Sequence, residues 1–282
     1  MARLTVADND DDLARRAAAR LTELIDGAAD AHGQALVSLT GGSTPRALYS
    51  TLADPQQPWR ERIPWPRVHL FWGDERHVPP DHPDSNYGMA KATLIDHVPI
   101  PAAQIHRMHG EIPDAHEAAV DYERTLNSVV SGLSRSDDVT SAFPQPNGVA
   151  SAFRRKSFFD VMLLGVGADA HIASLFPGSE FLDPDIGRPS TSNQPDVGRP
   201  FTGRRVAAVW AAHLNAWRIT LTPGAILDSG TIVMLVAGAK KAAAMHAAFA
   251  EPLDVKRYPV QLLRAASDGV EWFLDHAAAS RL

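Results

Sequence analysis

Apolar positions recur along this chain in two rhythms. Short runs that are apolar at all but one position alternate with longer stretches in which apolar residues return every three or four positions. The first rhythm predicts strands buried on both faces, and the second predicts amphipathic helices. Residues 35–39, 68–72, 158–164 and 231–237 are the four clearest buried strands. Residues 4–7, 105–108, 206–210, 217–221 and 270–274 read as further, weaker ones. Helices are predicted to about residue 33 after a cap at Asn9 or Asp10, then over 45–52, 86–95, 115–130 and from about 240 to 249. A short helical segment starts at Thr222-Pro223. Residues 54–66, 131–156 and 177–203 carry turn residues without a period and are expected to be loops, the middle one an exposed insertion.

Strands alternating with helices predict an α/β fold: a Rossmann-like open, mostly parallel sheet with helices on both faces. The 282 residues are read as one such domain. In this class ligands bind beyond the carboxyl ends of the strands. The chemistry is therefore expected just past the ends of the four clearest strands, and a polar cluster stands at each.

After residue 39 comes Thr40-Gly41-Gly42-Ser43-Thr44-Pro45-Arg46. Two glycines, two hydroxyls and a helix start make an anion-binding arrangement, because free N–H groups and the positive helix end face whatever lies above the loop. After residue 72 come Gly73-Asp74-Glu75-Arg76-His77. After residue 164 come Gly165 and Gly167, then Asp169 and His171. After residue 237 comes Gly238-Ala239-Lys240-Lys241, of which Lys240 is the candidate cation. Each cluster alone also describes a capped helix or a salt-bridged turn. Their placement along one sheet edge is what argues for a site.

Composition narrows the chemistry. A net charge of −6 gives no general attraction to nucleic acid or an anionic membrane, so an anionic ligand needs a local cationic cluster. The absence of cysteine excludes disulfides, thiolate catalysis and Cys-ligated zinc. No run approaches the ~18 apolar residues of a membrane span, and no apolar signal core opens the chain; a cytoplasmic protein is expected.

The four clusters together resemble the 6-phosphogluconolactonase family. The matching segments are LVSLTGGSTPRALY, VHLFWGDERHVPPDHPDSNYGMA, FDVMLLGVGADAHIASLFPGS, RITLTPGAI and MLVAGAKKAA, with YPVQLLRAASDGVEWFLDHAA near the end. The resemblance implies a fold shared with glucosamine-6-phosphate deaminases and ribose-5-phosphate isomerases. It implies hydrolysis of 6-phospho-D-glucono-1,5-lactone to 6-phosphogluconate, the second step of the oxidative pentose phosphate pathway. It implies no metal or organic cofactor and a small sugar phosphate as the partner, with the chain a monomer or small homo-oligomer. The deaminase relatives share the Gly-Gly loop but continue Ile-Ala-Phe-Asn-Glu-Pro-Gly after the histidine. Here the run is Ile172-Ala173-Ser174-Leu175-Phe176-Pro177-Gly178, and Phe176 stands at the catalytic glutamate. A regulator that binds a sugar phosphate without catalysis is the reading from another class.

On this resemblance His171 is the candidate base, since imidazole titrates nearest neutrality. Asp169 either orients it or shapes the loop. Arg76 is a candidate for the oxyanion or the phosphate. Gly41, Gly42, Ser43, Thr44, Arg46 and Lys240 are candidates for the 6-phosphate, with Arg218 a further contact and Asp74 and Glu75 partners for sugar hydroxyls or for Arg76. Two departures stand out. Ala170 occupies the position before the histidine where the family has glycine, and residues 211–216 replace a proline-rich stretch.

Overall fold

The computed structural model describes residues 3–139, 157–182 and 203–282. Its main sheet has six strands: β1 (Arg3–Ala7), β2 (Ala35–Leu39), β3 (Val68–Trp72), β5 (Phe159–Leu164), β8 (Ser229–Val236) and β9 (Val270–Asp275). They lie in the order β1-β9-β8-β5-β2-β3, and every neighbouring pair is parallel. A second sheet of three antiparallel strands joins β4 (Asp74–Arg76), β7 (Ala216–Leu221) and β6 (Val206–Ala211) in that order. The class is α/β, as the alternation predicts.

The central strands are apolar because both faces are covered. All five residues of β2 and all six of β9 are buried. One cover is α1 (Asp10–His32), which packs on β1, β2, β5 and β9. Its cap is Asn9, whose side chain accepts from the Asp12 N–H at 2.9 Å. The other helices are α2 (Ser43–Ala53), α3 (Trp59–Arg62), α4 (Asn86–Thr93), α5 (Ala115–Val139), α6 (Pro223–Leu227) and α7 (Ala242–Phe249). Among the described residues no helix is long and apolar enough to cross a membrane.

Several expectations change. The cluster after β3 is not a turn but strand β4, and it carries the chain from the large sheet to the small one. The strands at 206–210 and 217–221 form a hairpin in that small sheet instead of extending the large one. Residues 105–108 make one bridge, Ile105 to Leu70, and no strand. The 54–66 loop contains α3. The helix predicted to end at residue 130 runs to Val139, so the first part of the supposed insertion is helical; residues 140–156 lie outside the described residues. So do 183–202, most of the loop expected at 177–203. Pro45 is the third residue of α2, not its first.

The order of strands decides where the site is. From β2 the chain moves outward to β3, then returns to β5 on the opposite side of β2. That reversal opens a crevice between the carboxyl ends of β2 and β5. Strands β3, β2, β5 and β8 are consecutive neighbours, so all four polar clusters meet at one edge.

Candidate functional site

A cleft of about 250 Å³ lies over this crevice, below the range typical of drug-sized ligands. It is lined by the Thr40–Pro45 loop, by Asp74 and Arg76 of β4, by Asn86 of α4, by Gly165–Gly167 and His171, and by Lys241.

The loop after β2 begins from a fixed point. The Tyr49 hydroxyl accepts from the Thr40 N–H at 3.0 Å and donates to the Thr40 carbonyl at 2.8 Å. Tyr122 does the same at the end of β3, accepting from the Trp72 N–H at 2.8 Å and donating to its carbonyl at 3.1 Å. Both tyrosines are fully buried, and burial pushes both phenols up, so they stay protonated donors. Gly42 then takes φ 116°, a conformation suited to glycine, and α2 starts. Helices α1, α4 and α6 have side-chain caps from Asn9, Ser85 and Thr222, whereas α2, like α3 and α7, has none. Its N-terminus opens on the cleft with the Ser43 and Thr44 hydroxyls beside it. An uncapped helix end of this kind favours an anion.

Gly41 has no room for a side chain, because a Cβ there would overlap the Asn86 amide. Asn86 donates to the Asp74 backbone carbonyl at 2.9 Å and to Asp74 Oδ1 at 3.3 Å. The other carboxylate oxygen, Oδ2, accepts from the Ser174 hydroxyl at 2.7 Å. Asp74 is thus a buried hub joining three segments of the cleft wall. Its neighbour Glu75 points the other way and is 2 % exposed. It accepts from the N–H groups of Arg76, Asn86 and Tyr87 at 2.7, 2.7 and 2.8 Å and from the Ser85 hydroxyl at 3.1 Å. Burial nevertheless raises its carboxyl above the usual range. Glu75 organises the start of α4 and does not reach the cleft lining. Arg76 does, with Nη1 donating to the Asp84 carbonyl at 2.6 Å.

The turn after β5 brings Asp169 and His171 together. Asp169 Oδ1 lies 2.6 Å from His171 Nδ1. A Cβ on Gly167 would collide with both side chains, so glycine is needed there for the pair to form. Burial raises the Asp169 carboxyl, but the His171 hydrogen bond and charge outweigh it and hold it at about 2. An ionised carboxylate only accepts, so Nδ1 carries a proton, and in the neutral imidazole the lone pair is then on Nε2. Among the described residues Nε2 has no protein partner. Ala170 sits at φ 69°, in the left-handed region that glycine tolerates best.

Three sequence candidates lie elsewhere. Lys240 is exposed and outside the cleft lining; the cation that lines it is Lys241, one residue on. Burial lowers the Lys241 ammonium while the Asp169 charge partly restores it, which places the two in one electrostatic neighbourhood. Arg46 lines a different cleft, with residues 80–83 and the outer face of α4. Arg218 stands opposite Arg76 in the β4–β7 register and is likewise outside the lining. The difference between the two lysines is a one-residue step in a Lys-Lys pair at a 3₁₀ turn. Asn86 and Ser174 were not anticipated, because short polar residues in mid-segment carry no sequence signal; their partners come from other elements.

Comparison with known proteins agrees with this fold. Residues 8–272 match the family described as Glucosamine-6-phosphate isomerases/6-phosphogluconolactonase. The 6-phosphogluconolactonase of Haemophilus influenzae is 34% identical over 248 residues, covering 87% of each chain. Among solved structures, the 6-phosphogluconolactonase of Trypanosoma brucei is similar at TM-score 0.74 and 25% identity, covering 100% of this chain and 99% of that one. A monomeric glucosamine-6-phosphate deaminase shares the fold at TM-score 0.72 and 18% identity, covering 99% of this chain and 100% of that one. The chain belongs to the glucosamine-6-phosphate isomerase/6-phosphogluconolactonase family.

Proposed function

We propose that this protein hydrolyses 6-phospho-D-glucono-1,5-lactone to 6-phosphogluconate, with His171 as general base. The observation that carries the mechanism is the Asp169–His171 pair at the mouth of an anion-binding cleft. The named relatives support the choice of reaction.

A δ-lactone is an activated ester, so the chemistry needs a positioned water, a base and charge stabilisation. His171 Nε2 takes a proton from water as its oxygen bonds to the lactone carbonyl carbon. The carbonyl becomes an oxyanion. It collapses with cleavage of the bond to the ring oxygen, which leaves with the proton returned by His171. The product acid then loses its proton to solvent. The Gly41–Thr44 loop holds the 6-phosphate at the N-terminus of α2. Arg76 and Lys241 supply the cationic charge that a phosphate and a developing oxyanion demand. A phosphate held far from the carbonyl is a handle that orients the ring against the base.

The deaminase reading is weaker on this chain, because Phe176 stands at the position of the deaminases' acid and cannot exchange a proton. Phe176 lies against His171, so that position faces the base. The protein acts as a cytoplasmic enzyme that needs no metal or organic cofactor. A coupled assay with freshly generated lactone, and glucosamine 6-phosphate as the control substrate, tests the assignment. Lactone turnover well above the spontaneous rate supports it; release of ammonia from the control overturns it.

A further inference from the structure

The turn after β5 doubles back on itself. Ala170 at φ 69° and Ala173 at φ 47° both bend it, and the Leu175 N–H donates to the Ile172 carbonyl at 2.9 Å. These bends return Phe176 to His171, five residues earlier. The two ring centroids are 4.7 Å apart, with planes inclined at 55°. Phe176 also meets His213, from the turn between β6 and β7, edge to face at 4.8 Å.

Phe176 does not float on this turn. Ser174, two residues earlier, is 1 % exposed. Its N–H donates to Thr220 Oγ1 at 3.2 Å and its hydroxyl donates to Asp74 Oδ2 at 2.7 Å. Two residues past the phenyl ring, the Gly178 N–H donates to the Lys256 carbonyl at 2.8 Å. The ring is therefore carried on a segment pinned at both sides, one pin being the small sheet and the cleft wall.

The backbone under the imidazole is held by the Gly167 N–H, which donates to the His171 carbonyl at 2.8 Å, and by the Val260 N–H, which donates to the Ala170 carbonyl at 2.9 Å. Among the described residues the ring itself makes one side-chain hydrogen bond, at Nδ1, and that contact alone does not fix its tilt. Asp169 sits on the same turn, and the two side chains are 44% and 31% exposed, so the pair can swing together. A base works only within hydrogen-bond reach of its proton, roughly 2.6–3.2 Å. Among the described residues the Phe176 ring is the aromatic contact that reaches the imidazole from outside the pair.

We propose that Phe176 is a positioning residue for His171, and that His213 acts on the base only through Phe176, so that the β6–β7 hairpin braces the acid–base turn. This rests on His171 being the base. An aromatic contact supplies at most about a tenfold effect.

The test is lactone hydrolysis as a function of pH for F176L, F176Y, H213A and the F176L/H213A double variant, with urea unfolding midpoints for each. A parallel NMR titration follows the His171 C2–H without substrate. The expected results are a kcat about 10-fold lower in F176L with KM within about twofold, and F176Y within about twofold of the parent. H213A lowers kcat about threefold in the parent and not at all in the F176L background. In the NMR titration the apparent pKa of His171 shifts in F176L and is restored in F176Y. A kcat within twofold of the parent in F176L overturns the proposal, as does an H213A loss equal in both backgrounds. H213A alters an exposed turn and is expected to fold, so if F176L proves unstable the H213A arm still tests the proposal: a kcat equal to the parent's overturns it. Full activity in H171A would remove the base itself; an inactive H171A beside a fully active F176L would remove only the positioning role.

Discussion

Asp169 Oδ1 accepts a hydrogen bond from His171 Nδ1 at 2.6 Å, across a turn only two residues long. This one contact sets the tautomer of the imidazole and fixes which nitrogen can take a proton. Asp169→Asn offers the ring an amide in place of an acceptor-only group, and the wrong tautomer becomes accessible. The expected kcat is at least ~100-fold lower with KM little changed, within the range for a disabled base. The carboxyl sits at about 2 in the folded chain, against an ordinary 3.8. Its folded value is depressed, so the pair's stabilisation is present above about pH 4 and is lost as pH falls through about 2. Both side chains are partly solvated, which keeps that contribution small. Urea midpoints at pH 6 and pH 3 check the sign: the parent loses more of its stability on acidification than Asp169→Asn does.

Gly167→Ala probes the same pair without touching either member. The added methyl would overlap His171 and Asp169. The flanking backbone is tied by the Gly167 N–H to the His171 carbonyl at 2.8 Å, so the side chains give way before the turn does. Steady-state kinetics should show kcat falling by about 100-fold, as misplacement of a reacting group by an ångström does.

The large-sheet strands and their carboxyl-terminal clusters were legible because they rest on local signals. An apolar run such as 232–237, closed by glycine, identifies a buried strand and its end at once. The small sheet was not legible. Asp74, Glu75 and Arg76 are three polar residues that read as a turn, and only the partner strand β7 makes them a strand. The same limit explains the site. Gly41, Gly42, Ser43, Thr44, Asp169 and His171 announce themselves by spacing. Tyr49 and Tyr122 look like core aromatics, and only the fold shows each hydroxyl clamping a strand end. Glu75 looked like a cleft carboxylate and is instead the hub of the α4 start.

Lysine placement gives a prediction that separates two adjacent residues. Lys241 lines the cleft and Lys240 does not. Lys241→Ala is expected to raise KM for the lactone at least ~10-fold, the loss of about one charge-assisted hydrogen bond. Lys240→Ala and Arg46→Ala should leave KM within about twofold. The three KM values measured side by side decide the assignment.

Ala170 occupies a left-handed position with its methyl buried. Glycine there would remove a cost of ~1–2 kcal/mol but forfeit about 0.8 kcal/mol of buried methyl and gain freedom in the unfolded chain. The terms nearly cancel, so Ala170→Gly should shift stability by less than ~1 kcal/mol. Ala170→Val adds a β-branched side chain to a conformation it avoids and to a filled site, and should cost ~2 kcal/mol or more. Urea unfolding of the two variants measures both.

The central claim is that His171 is the base of a lactone hydrolase, and the most direct test is turnover of freshly generated 6-phosphogluconolactone by the parent and by His171→Ala. The parent should hydrolyse the lactone far above its spontaneous rate, and the variant should fall at least ~100-fold with an unchanged unfolding midpoint. A near-parental kcat in His171→Ala would contradict the account.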